Sequence, residues 1–99
     1  MANDHKTKVE QDASRIVTYL LEHRAEFEQD GVDESSIPAA VSLSEDEARE
    51  AVDRLENRED VVRWPQALTT PPKFMIKPGR GWRLILEKSS EHAHGGANQ

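Results

Sequence analysis

The sequence predicts an α+β domain in which three helices precede a C-terminal β-hairpin. Three observations carry that expectation. Apolar residues recur at helical spacing from Val9 to Leu55, and the period switches to alternation near residue 61. Ser/Thr residues followed three positions later by Glu mark where helices start.

The first helix is expected from about Lys8 to about Glu28, opened by a Thr7/Glu10 capping box. Val9, Ala13, Ile16, Val17, Leu20 and Phe27 form its apolar stripe, widened by Tyr19 and Leu21. Gly31 suits its C-terminal turn, and Val32, alone among polar residues, reads as a short β-bridge. Ser36 is placed to cap a short second helix, with Pro38 in the first turn, where a missing N–H costs nothing. Ile37, Ala40 and Val41 would point inward.

The third helix starts at a second capping box, Ser44 with Glu47, with Leu43 as a staple against Ala48. Ala48, Ala51, Val52 and Leu55 then follow the i, i+3, i+4, i+7 rule, and Glu45–Arg49 and Glu50–Arg54 are set for i, i+4 ion pairs. Val61-Val62-Arg63-Trp64 reads as a strand, and Pro65 to Pro72 as an irregular connection or wing loop. Two alternating runs, Lys73–Lys77 and Trp82–Glu87, flank Pro78-Gly79-Arg80-Gly81 and predict the hairpin. In that pairing Phe74, Ile76, Trp82, Leu84 and Leu86 are buried, while Lys73, Met75, Lys77, Arg83, Ile85 and Glu87 face outward. The expected domain is 8–88, between disordered segments 1–7 and 89–99.

Ninety-nine residues suffice for one modest core. No apolar run is long enough to span a bilayer, and the first residues lack an apolar signal-peptide core, so a cytoplasmic location is expected. Cysteine is absent, which excludes disulfides and thiolate chemistry. The net charge of −6 hides a split: residues 1–60 carry 7 basic against 17 acidic side chains, whereas residues 61–88 carry 6 against 1. Such asymmetry bears on partners, not on fold.

The stretch from Val9 to Glu87, with Leu43-Ser44-Glu45-Asp46-Glu47-Ala48-Arg49-Glu50-Ala51-Val52-Asp53-Arg54-Leu55 as the second half of a helix-turn-helix and Val61-Val62-Arg63-Trp64 as the strand into a wing, resembles the winged helix-turn-helix superfamily. The resemblance implies a small DNA-binding transcription regulator. It departs from the pattern in two places. Asn57-Arg58-Glu59-Asp60 fills, without glycine, the position where many members have one. The helix that would enter the groove has four carboxylates in its first six residues, Glu45, Asp46, Glu47 and Glu50, which phosphates repel.

An enzyme is not expected, because no nucleophile elbow, P-loop or metalloprotease helix is present. No cofactor or metal site is expected either, since His92-Ala93-His94 lacks further ligands. Two readings from different classes stand. In the first, double-stranded DNA binds mainly to a basic wing through Arg63, Lys73, Lys77, Arg80 and Arg83, with Arg49, in a monomer or a homodimer. In the second, Glu45, Asp46, Glu47, Glu50 and Asp53 meet a basic protein partner and nucleic acid is not bound.

Overall fold

The computed structural model describes residues 2–66 and 73–97. Its elements run α1 (Ala2–Glu22), α2 (Arg24–Gln29), β1 (Val32–Asp33), a 3-10 turn (Glu34–Ser36), α3 (Ile37–Val41), α4 (Glu45–Asn57), β2 (Val61–Pro65), β3 (Phe74–Pro78) and α5 (Trp82–Ala97). The strands form one antiparallel sheet of order β1-β3-β2.

The expected first helix is present but divided. It breaks at His23, whose amide still donates to the Tyr19 carbonyl, and resumes as α2. The apolar stripe is preserved across the break: Ala13, Ile16, Leu20 and Phe27 are all fully buried. Gly31 closes α2 at φ +86, where an L side chain would be strained. Thr7 lies inside α1, so it caps nothing, and the helix already covers most of the segment expected to be disordered. The carboxylate of Glu10 is instead taken by Arg54 and Arg58.

The helix-turn-helix forms where expected, with Ile37 and Val41 buried, but Ala40, expected inward, is exposed, because five residues of α3 turn only one narrow face to the core. Asp33 caps the 3-10 turn by accepting from the Ser35 amide, and Ser36 Oγ donates to the Asp33 carbonyl instead of capping α3. Ser42 turns the chain in the left-handed region, φ 58, and the Leu43 amide donates to the Pro38 carbonyl. Both halves of the Ser44/Glu47 capping box form. Ala48, Ala51, Val52 and Leu55 are buried, and α4 packs chiefly along α1.

The hairpin differs from expectation. Its strands are β2 and β3, paired from Val61↔Pro78 to Pro65↔Phe74. The chain joins these strands through residues 66–73, and residues 67–72 of the anticipated loop fall outside the described residues. Val32 pairs with Ile76, which puts the short β1 on the other edge of β3. Trp82 onward forms α5, not a strand, and α5 continues to Ala97 across the expected disordered tail.

The physical cause of that difference is a short apolar run that satisfies two periods at once. Trp82, Ile85 and Leu86 fit helical spacing as well as Trp82, Leu84 and Leu86 fit alternation. The glycines decide the outcome through tertiary contact. The Gly79 amide donates to the Asp60 carbonyl and the Gly81 amide to the Glu59 carbonyl, so the chain crosses the end of α4 at close range. A Cβ on Gly79 would stand 2.3 Å from the Glu59 carbonyl oxygen. Those residues form a backbone crossing, not a hairpin tip.

Trp82 is buried as expected, edge-on to Phe27 with ring centroids 4.7 Å apart, and its indole N–H donates to Glu28. That donor holds the Glu28 carboxyl below the ordinary glutamate range. Leu84, expected inside, is 60% exposed, while Ile85, expected outside, packs with Leu86 against the core. The facing of β3 is as read: Ile76 is fully buried and Met75 and Lys77 lie on the other face.

Candidate functional site

The surface formed by α4, the turn before it and the base of the β2–β3 wing is where the polar side chains of this domain converge. Its chemistry starts from the helical phase of α4. Burial of Ala48, Ala51, Val52 and Leu55 turns the remaining positions outward, and they divide among three neighbours.

The first neighbour is α1. Lys8 donates to both oxygens of buried Asp12 and lies 3.1 Å from Glu47, and His5 Nε2 contacts the Glu50 carboxylate. Bonds to Asp12 and Glu47 raise the Lys8 pKa. Glu47 is held below the ordinary range, first by the Ser44 amide and then by Lys8. Further along, Arg54 and Arg58 reach back to Glu10 at 2.9 and 3.3 Å, and the Arg54 bond lowers the Glu10 pKa.

The second neighbour is β2. Arg63 projects from it with its side chain only 15% exposed. Its Nε and Nη2 donate in parallel to the two oxygens of Glu34, at 3.0 and 2.9 Å, while Nη1 donates to Asp53 and, at 3.2 Å, to Glu56. Burial opposes the charge, yet the bonds to Glu34 and Asp53 outweigh it and hold the guanidinium pKa above its usual value. Arg63 thus ties the wing, α4 and the 3-10 turn together.

The third neighbour is solvent. Arg49 and Asp46 stand 65% and 92% exposed and only loosely paired at 3.7 Å. Glu45 has no ion-pair partner among the described residues. The i, i+4 pairs expected on α4 are therefore replaced: Arg49 turns back to Asp46 and Arg54 goes to α1.

Between α4 and the wing base lies a cleft of about 460 Å³. Pro38, Ala48 and Phe74 give it an apolar floor, and Asp33, Glu34, Glu45 and Asp53 are among its walls. Asp33 is held below the ordinary range by the Ser35 hydroxyl and amide.

The residues expected to make a basic wing are dispersed. Lys73 immediately precedes β3, whereas Lys77 lies on β3 with its ammonium 5.3 Å from the Trp64 ring centroid. Arg80 is in the turn after β3 and Arg83 in the first turn of α5, at the opposite end of β3 from Lys73. The shared face and Arg80-tipped hairpin of the sequence reading do not form, because the second strand of that hairpin is a helix. Trp64 is exposed.

Sequence reasoning missed His5, Lys8, Glu10 and Glu34 as partners of this surface. A signal existed for the first two: His5, Lys8 and Asp12 share one helical face, which becomes visible once α1 is extended to its observed start. Nothing local marks Glu34 as the partner of a residue 29 positions away.

No protein-family model matches the chain, nor does any curated protein. Two solved structures share its fold. The F27L mutant of S. aureus MepR, bound to an oligodeoxyribonucleotide, is 20% identical with a TM-score of 0.64, over 100% of this chain and 75% of that one. The S. aureus MepR–DNA complex is 17% identical with a TM-score of 0.53, over 98% of this chain and 87% of that one.

Proposed function

From the premise that the chain folds as a winged helix-turn-helix domain, we propose that it binds double-stranded DNA as a small transcription regulator in the cytoplasm. The observation that carries this reading is the pairing of the α4 carboxylates. Four acidic residues at the start of a groove-facing helix would oppose phosphate on sequence grounds alone. In the folded domain Glu47 and Glu50 are engaged by Lys8 and His5, and Asp53 and Glu56 by Arg63, while Arg49 stands exposed on the same helix. Lys8 and Arg63 therefore offset part of the negative field that the residue count implies. Lys73 flanks the cleft on the wing side and supplies a phosphate contact, while Arg49 faces the same cleft from α4. Arg80 and Arg83 belong to a separate exposed basic surface at the start of α5.

The test is a salt titration of binding to mixed-sequence duplex DNA. Log affinity should fall linearly with log salt, with a slope of about −0.9 for each phosphate contacted. Lys73→Ala should make that slope shallower by about one contact. Absence of duplex binding even at low ionic strength, where screening is weakest, refutes the reading.

A second reading is favoured by the cleft itself. Its apolar floor suits a basic protein segment, with methylenes on Phe74 and the cation beside Asp33 and Glu45, the two wall carboxylates that Arg63 does not hold. Under that reading duplex binding is negligible, and Glu45→Lys abolishes capture of a cationic peptide.

A further inference from the structure

We propose that Asp46 and Arg49 make this a reader of G·C base pairs, with Arg49 on guanine and Asp46 on cytosine. The proposal rests on the DNA-binding reading above and names the class of site it selects. It starts from which α4 side chains remain available. Glu47, Glu50, Asp53, Arg54 and Glu56 all have partners on α1 or β2, so the outward residues left in the first two turns are Glu45, Asp46 and Arg49. In a groove-inserted recognition helix it is the N-terminal residues that meet base edges.

Asp46 and Arg49 are neighbours on the helix surface, three residues apart, and their 3.7 Å contact between well-exposed groups is weak enough to exchange for base contacts. Their chemistry is selective. A guanidinium fork matches guanine O6 and N7, and a carboxylate, which only accepts, matches the cytosine N4 amine. Adenine offers Asp46 a donor, but its N7 acceptor lies beside that donor and opposes the second carboxylate oxygen. Guanine and thymine present acceptors at that edge and are repelled, so Asp46 discriminates partly by exclusion. No amide or methyl group on those two turns faces outward to favour adenine or thymine; Asn57 is the last residue of α4 and Ala48 and Ala51 are buried.

The experiment is selection from a randomised duplex pool at low ionic strength with the full chain, run in parallel with Arg49→Ala and Asp46→Asn. Both side chains are exposed, so both variants should keep the native circular dichroism spectrum. The native chain should enrich sites with guanine and cytosine at neighbouring steps, and replacing that guanine by adenine should weaken binding about 5- to 100-fold. Arg49→Ala should lose the guanine preference. Asp46→Asn should move the cytosine position towards adenine, which an amide binds through N6 and N7. An A·T preference, no preference, or a G·C preference unchanged in both variants overturns the assignment and leaves DNA binding standing. Failure to bind any duplex overturns both.

Discussion

Replacing Arg63 by methionine keeps most of the aliphatic stem and removes the guanidinium that joins β2, α4 and the 3-10 turn. The parallel pair of bonds to Glu34 matters most, because the two side chains are only 15% and 20% exposed. Hydrogen bonds to charged groups contribute roughly 1.5–3 kcal/mol, the lower part of that range applying where water still reaches the pair. Asp53 and Glu56 are 52% and 42% exposed, so each of those contacts adds only about 0.2–1 kcal/mol. Arg63→Met should therefore cost about 2–3 kcal/mol in urea unfolding, which for a domain of this size lowers Tm by about 8–24 °C. A double-mutant cycle with Glu34→Gln isolates the central pair, and its coupling energy should be about 1–2 kcal/mol. A loss below about 0.5 kcal/mol, or no coupling to Glu34, would refute the view that Arg63 is a strut and return it to the pool of surface cations.

Leu55→Ala should cost about 2–5 kcal/mol because the side chain is fully buried, while Leu84→Ala, at 60% exposure, should cost about 1 kcal/mol or less; equal melting temperatures for the two would contradict the observed facing of α5. Glu59 adopts φ 64, which disfavours an L side chain by about 1–2 kcal/mol, so Glu59→Gly should raise stability by up to about 1 kcal/mol after the entropy of an added glycine is deducted, and a lower Tm would show that its side chain contributes more than its backbone costs. Glu10, Asp33 and Glu47 all titrate below their ordinary values in the folded chain, so the unfolded chain binds more protons on acidification. Their stabilisation is complete above the ordinary values of 4.5, 3.8 and 4.5 and is lost as pH falls through the lower folded values, so Tm should drop on acidification through this range; a flat Tm would show those bonds to be inert.

The sequence by itself determined the helix-turn-helix. Ser44 and Glu47 are three residues apart, Ala48, Ala51, Val52 and Leu55 hold one helical phase, and Pro38 stands where a helix tolerates it, so every determinant lies within a turn or two of what it specifies. The same locality explains why Phe27 and Ile76 are assignable to the core. Tertiary structure alone decided the partner of β3 and the fate of residues 82–87. A six-residue segment with four apolar side chains fits both periods, and the choice fell to the close crossing of Gly79 and Gly81 over Glu59 and Asp60, some twenty residues earlier. The site followed the same division. Composition exposed the carboxylates of α4, but their electrostatic effect depends on His5, Lys8 and Arg63, which reach them from other elements. Pairing energies of that kind depend on distance and burial in three dimensions, and neither is written in the order of residues along the chain.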